Sequence, residues 1–151
     1  MTVSIRVATL DDLERLGEVR RRASLSNDGD LELLRAHPEY LEFEGEYVGV
    51  GWTRLAVLDD GTITGFLTTI PTGDSLELED LFVDPDHMRT GVATALMHDL
   101  VAVARAGGIT TINVTANSHA LAFYERVGFV DNGTGETPVG PAARLRLTVV
   151  S

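Results

Sequence analysis

Residues 83–94, Val83-Asp84-Pro85-Asp86-His87-Met88-Arg89-Thr90-Gly91-Val92-Ala93-Thr94, join a strand directly to a helix. Gly91 lets a ligand approach the backbone closely, and Ala93 is too small to obstruct it. The first turn of the helix offers unpaired N–H groups and the positive end of its dipole. Together these form a seat for an anionic pyrophosphate, to which Arg89 adds a charge-assisted contact. Taken alone, the pattern is also that of an ordinary strand-to-helix connection containing a glycine.

A second group of residues lies about 25 positions further on, in Asn117-Ser118-His119-Ala120-Leu121-Ala122-Phe123-Tyr124-Glu125-Arg126-Val127-Gly128-Phe129. Asn117 suits the cap of the helix that starts at Ala120. Tyr124 brings either a phenolic hydroxyl or an aromatic packing surface. Upstream, Glu77, Glu79 and Asp80 are carboxylates on one strand. Glu77 and Glu79 share a face and Asp80 points to the other, unless a bulge shifts the phase. His37, His87, His98 and His119 show no metal-ligand spacing, so no metal is expected.

The elements that must hold these residues are readable. Ser4 to Val7 is a short strand. Thr9 with Asp12 makes a capping arrangement before a helix patterned by Leu13, Leu16, Val19 and Ala23. Asn27 to Asp30 breaks the chain, and Leu31 to Ala36 is a second helix ending before Pro38. Thr53 to Leu58 and Thr62 to Ile70 flank Asp59-Asp60-Gly61 as a hairpin. A turn over Pro71 to Asp74 leads into a strand from Leu76 to Val83. A long helix over Gly91 to Ala106 carries Val92, Ala95, Leu96, Leu100, Val103 and Ala104 on its apolar side and stops at Gly107-Gly108. Ile109 to Thr115 is a β-branched strand, Ala120 to Val127 a helix, and Phe129 and then Arg144 to Val150 the last strands. This order predicts a mixed sheet covered by helices, in one domain over residues 1–151.

Composition narrows the class. The 151 residues carry 23 carboxylates against 12 cations, all arginine, for a formal charge of −11. Such a field repels phosphate backbones, which argues against a nucleic-acid partner, and attracts cationic molecules. With no cysteine, the chain has no disulfide, no thiolate zinc site and no catalytic thiol. No apolar run approaches the roughly 20 residues of a membrane span, and no secretory h-region is visible, so a cytoplasmic protein is expected.

The segment Leu78-Glu79-Asp80-Leu81-Phe82-Val83-Asp84-Pro85 followed by Gly91-Val92-Ala93 resembles the central coenzyme A motif of the GNAT (GCN5-related N-acetyltransferase) superfamily, Gln/Arg-x-x-Gly-x-Gly/Ala. Met88 stands where that pattern has Gln or Arg, while Gly91 and Ala93 match. Asn117, Ala120, Tyr124, Gly128 and Phe129 match the family's later motif, Asn-x-x-Ala-x-x-x-Tyr-x-x-x-Gly-Phe, and Ile5 to Leu13 resembles its opening. The resemblance spans nearly the whole chain. It implies an α/β fold with a largely antiparallel sheet of about six or seven strands, a V-shaped parallel splay and about four flanking helices. It further implies acetyl-coenzyme A as cosubstrate, an amine acceptor and, in many members, a homodimer.

The resemblance also implies roles. The cofactor would be held by Phe82, Val83, Met88, Arg89, Thr90, Gly91, Val92, Ala93, Thr94, Asn117 and Tyr124. Its acetyl-pantetheine arm would lie where the strand ending at Val83 splays from the strand near Thr115. Direct attack by a neutral amine needs a proton acceptor, an oxyanion donor and a proton for the departing thiolate. Backbone N–H groups around Phe82 would hold the acyl carbonyl, and the Tyr124 hydroxyl would serve the thiolate. Glu77 and Glu79 rank equally as general base, ahead of Asp80, with a water chain as the alternative. A catalytically silent acyl-coenzyme A sensor of the same fold is the competing reading. The acidic, aromatic stretch Pro38 to Tyr47, with Tyr40, Phe43 and Tyr47 as rings, is expected to wall the site of a cationic acceptor or to be a solvated loop.

Overall fold

The computed structural model describes residues 2–27, 30–138 and 140–150. It contains seven strands: β1 (Val3–Val7), β2 (Thr53–Leu58), β3 (Ile63–Thr72), β4 (Ser75–Val83), β5 (Thr111–Ala116), β6 (Val130–Thr137) and β7 (Gly140–Thr148). Four α-helices accompany them: α1 (Leu13–Leu25), α2 (Leu31–Ala36), α3 (Val92–Ala106) and α4 (Leu121–Arg126). The strands follow the order β1-β2-β3-β4-β5-β7-β6. Pairing is parallel between β4 and β5 and antiparallel for β1 with β2, β2 with β3, β5 with β7 and β6 with β7. No described helix is long and apolar enough to cross a membrane. Of the expected break at Asn27 to Asp30, Asp28 and Gly29 lie outside the described residues.

The chain divides into two compact units, Met1–Thr68 with Asp80–Leu96, and Thr69–Glu79 with Met97–Ser151. In the first unit, Thr9 N–H donates to Asp12 Oδ2 at 2.8 Å, the reciprocal bond that the Thr-x-x-Asp spacing suggests, and α1 follows. Leu16 and Val19 on α1 are fully buried with Ala8, Val48, Leu55, Ile63 and Phe66, and Leu13, Phe43, Val57 and Phe82 pack against them. Burial of each large aliphatic side chain contributes about 1.5–3 kcal/mol. The α1 helix is thereby fixed to the sheet, and its arginines have a defined reach.

In the second unit, β5 alternates buried Ile112, Val114 and Ala116 with half-buried Thr111, Asn113 and Thr115. Its parallel pairing with β4 runs from Ser75↔Thr111 to Leu78↔Val114. The β4 strand continues to Val83 and β5 to Ala116.

The structure corrects several boundaries. The β3 strand runs through Pro71 to Thr72, leaving only Gly73 and Asp74 in the turn. Proline is tolerated there because β2 ends its pairing at Thr53↔Thr68, so no neighbour on that side needs the missing N–H. The α3 helix begins at Val92 rather than at Gly91, whose φ of 87° is not helical. Its buried stripe runs through Leu96, Met97, Leu100 and Ala104 and leaves Val103 42% exposed. The last strands form a long hairpin, β6 with β7, where only Phe129 and Arg144 to Val150 were expected. Six of the eight β6 residues are exposed and the ladder shifts register between Asp131 and Thr134. An edge strand of this kind carries no apolar alternation to announce it.

Candidate functional site

Phe82, Val83 and residues 88–94 belong to the first unit, and Glu77, Glu79, Asn117 and Tyr124 to the second. Asp84 N–H donates to the Thr64 carbonyl at 2.8 Å, and the chain then passes through a 3-10 turn at Pro85–His87. Met88, Arg89, Thr90 and Gly91 are all exposed. Arg89 has φ 63°, a left-handed conformation uncommon for a residue with a side chain, and Gly91 has φ 87°. A Cβ at Gly91 would meet nothing within 4 Å, so this glycine is required by its dihedral and faces open space. Ala95 N–H donates to the Gly91 carbonyl at 2.9 Å, the first α-helical bond. The N–H groups of the first helical turn therefore stand behind an open, exposed loop, a setting that accepts a phosphate.

Gly65 on β3 has a different reason. A Cβ there would lie 2.8 Å from the Phe82 carbonyl oxygen and 3.0 Å from Val92 Cγ1. Only glycine allows β3 to approach the end of β4 this closely, so Gly65 sets where Phe82 and Val83 present their backbone.

The carboxylates of β4 differ in surroundings. Glu77 is held by Arg144 Nη1 through a short bond, and the same guanidinium nitrogen donates to Thr115 Oγ1 at 2.9 Å. The second Glu77 oxygen, Oε2, is buried without a hydrogen-bond partner. Glu79 is exposed. Asp80 lies on the other face, as strand alternation requires, two residues before Phe82 and hydrogen-bonded to the Thr68 side chain. Burial pushes the Asp80 carboxyl above its usual range, against the lowering effect of the Thr68 hydroxyl and the Arg20 charge, and the Glu46 charge adds to the rise. Asp80 thus holds its proton more tightly than a free carboxylate, through surroundings that the sequence does not announce.

Tyr124 is 6% exposed, packed edge-on between Phe123 and Phe129 at ring-centroid distances of 5.5 and 5.2 Å. Burial pushes its hydroxyl up to about 12, so it remains a proton donor at neutral pH. Asn117 Oδ1 accepts the Ala120 N–H at 3.0 Å and so closes the turn that leads into α4, whose N-cap is Ala120 rather than the expected Asn117.

The Pro38 to Tyr47 stretch is a 3-10 turn followed by loop. Phe43 packs into the core, so of the three rings expected to line a wall this one turns inward. Tyr40 stacks on His37 at 4.8 Å and Tyr47 on Trp52 at 5.7 Å. Glu42, Glu44 and Glu46 are exposed. Arg20 pins this stretch from α1, donating to the carbonyls of Glu42 at 2.5 Å and Tyr40 at 3.0 Å, with its guanidinium 5.6 Å from the centre of the Phe82 ring. Among the described residues no group of three or more His, Asp or Glu is placed to hold a metal ion.

A model of the acetyltransferase (GNAT) family matches residues 18–129. An uncharacterized N-acetyltransferase of Mycobacterium tuberculosis is 36% identical over 84 residues, which cover 53% of this chain and 54% of that protein. The chain thus spans about half the length of the first curated relatives it matches. A peptidyl-lysine N-acetyltransferase of Salmonella typhimurium is 28% identical over 137 residues, 90% of this chain and 89% of that protein. Among solved structures, a PaiA N-acetyltransferase from Thermoplasma acidophilum in complex with coenzyme A has a TM-score of 0.82 at 18% identity, covering 98% of this chain and 99% of that one. That likeness is one of fold.

Proposed function

Because the chain belongs to the acetyltransferase (GNAT) family, we propose that it is an acetyl-coenzyme A-dependent N-acetyltransferase in which an amine attacks the thioester directly. The observation that carries this reading is the exposed Met88–Gly91 loop, with its two left-handed residues, opening onto the first turn of α3. On this reading residues 1–151 are one N-acetyltransferase domain.

Backbone N–H groups of Thr90 to Thr94 bind the pyrophosphate, and Arg89 supplies the charge that Met88 does not. Phe82 and Val83 offer backbone groups to the acyl carbonyl and the arm, and Asn117 adds a polar contact beside its role in closing the turn before α4. Asp80 removes the proton from the acceptor ammonium, and the free amine attacks the acetyl carbonyl. As the tetrahedral intermediate collapses, the carbon–sulfur bond breaks and the Tyr124 hydroxyl protonates the thiolate. Glu79 stays a candidate for proton removal through water. Glu77, whose carboxylate is tied to Arg144, suits a positioning role better than that of a base.

The acceptor is a cationic amine. Glu42, Glu44 and Glu46 are exposed, the Glu46 charge is felt at Asp80, and the net charge of −11 favours positive molecules. The peptidyl-lysine acceptor in the name of the Salmonella relative has the same chemistry.

Titration with coenzyme A tests the cofactor half of this reading. Free ligand at about 100 times its dissociation constant adds roughly 2.7 kcal/mol, or about 5–10 °C in Tm. Gly91→Asp removes that shift, because it forces a side chain into a left-handed position and sets a negative charge against the pyrophosphate. A wild-type chain whose Tm does not move at millimolar coenzyme A contradicts the assignment.

A further inference from the structure

Asp84, 2% exposed, stands where β4 gives way to the loop. Its Oδ2 accepts from Arg15 Nη2 at 3.0 Å and Arg22 Nε at 3.2 Å, and its Oδ1 from Arg22 Nη2 at 3.3 Å and the Asp86 N–H at 2.9 Å. Its carbonyl accepts the His87 N–H at 2.8 Å. Arg22 Nη2 also reaches Asp86 Oδ2 at 3.1 Å, and Arg15 Nη2 the Ile63 carbonyl at 2.8 Å. Both arginines project from α1, two helical turns apart and so on one face.

A buried carboxylate is costly unless paired, and this one is paired on both oxygens. Burial alone would raise the Asp84 carboxyl, but the Asp86 amide and the two guanidinium groups outweigh it and hold Asp84 below the usual range. The arrangement has a second consequence. Asp84 and Asp86 place two negative charges immediately before the loop proposed to receive a pyrophosphate, where they would repel it. Arg22 spans both and cancels that repulsion, while Asp84 caps the 3-10 turn and fixes the course of the backbone into Met88.

On the reading above, we propose that Arg15, Asp84 and Arg22 form a clamp that presets the pyrophosphate loop from α1, as positioning residues that set coenzyme A affinity without touching the acyl group. The clamp acts on the pyrophosphate end of the ligand only.

The test compares dissociation constants for coenzyme A and for pantetheine, which lacks the pyrophosphate and nucleotide, in wild type, Arg22→Ala and Arg22→Lys. The Arg22 side chain is 41% exposed, so its truncation leaves the core intact. Arg22→Ala weakens coenzyme A about tenfold, the worth of one charge-assisted contact, and leaves pantetheine within about twofold. Arg22→Lys, keeping the charge without the fork, recovers part of the loss, and high salt narrows the difference between variants. Equal weakening of both ligands means general loosening and overturns the clamp, as does an unchanged coenzyme A constant. Failure of wild type to bind coenzyme A overturns the acetyltransferase reading itself.

Discussion

The Asp80 carboxylate takes a hydrogen bond from the Thr68 hydroxyl, and Thr68 Oγ1 lies 3.0 Å from Thr53 Oγ1. With its own proton committed to Asp80, the Thr68 oxygen accepts from Thr53. The three residues form a row across β2, β3 and β4, beside the parallel row of Leu55, Phe66 and Phe82. Both threonines are 1% exposed, so this chain of hydroxyls is sealed from water.

That row makes Asp80→Asn informative. Burial raises the Asp80 carboxyl in the fold, so the folded chain binds this proton more tightly than the unfolded chain. The stability it contributes is present below the unfolded pKa and is lost as pH rises through the folded pKa. At neutral pH Asn keeps an acceptor for Thr68 and removes a half-buried charge. Asp80→Asn is therefore expected to melt no lower than wild type at pH 7 while losing about 10²- to 10⁴-fold in kcat. In wild type, kcat/KM rises with pH through the raised Asp80 pKa, a limb absent from the variant. Denaturation and pH–rate profiles check this, and full activity in Asp80→Asn removes Asp80 from the role.

Tyr124→Phe separates acid from packing residue. The ring contacts with Phe123 and Phe129 survive the change, so stability is expected to stay within about 1 kcal/mol. On the proposed mechanism the hydroxyl protonates the leaving thiolate, so kcat is expected to fall by at least about 10² while KM for acetyl-coenzyme A changes little. With its pKa near 12, Tyr124 adds no inflection to the pH profile in the neutral range. Equal kcat in the two proteins leaves Tyr124 a core residue.

The parts legible from sequence are local ones. Leu31–Ala36 is bounded by the coming Pro38, and the strand–turn–helix around Gly91 by its own residues. The parts that escaped depend on distant partners. Alternation tells which face Asp80 occupies, but its proton affinity depends on burial and on Thr68, Arg20 and Glu46 from elsewhere in the chain. Glu77 reads as a free carboxylate until Arg144, 67 residues on, closes on it. The β6 strand was hidden because Asp131-Asn132-Gly133 has the composition of a turn and the strand is stabilised by pairing with β7 rather than by burial.

The acceptor's charge is testable by salt. Glu42, Glu44 and Glu46 are exposed, so their attraction for a cation is screened within about 8–10 Å at ordinary ionic strength. Raising salt is expected to increase KM for a basic amine more than KM for acetyl-coenzyme A. A matched anionic amine should be a poor substrate at all salts. Equal use of the two amines, or an acceptor KM indifferent to salt, makes the acidic loop a feature of solubility alone.

The most direct measurement is the release of free thiol from acetyl-coenzyme A. The chain has no cysteine, so a disulfide reagent such as dithionitrobenzoate reports coenzyme A with no background from the protein. A panel of polyamines, aminosugars, basic peptides and neutral and acidic amines is added in turn. Acetyl transfer predicts thiol release that depends on the amine, is fastest with cationic members, equals the acetylated amine mole for mole, and falls at least about 10²-fold in Asp80→Asn and Tyr124→Phe. A chain that binds coenzyme A but releases no thiol with any amine contradicts the enzymatic assignment and makes it an acyl-coenzyme A-binding protein.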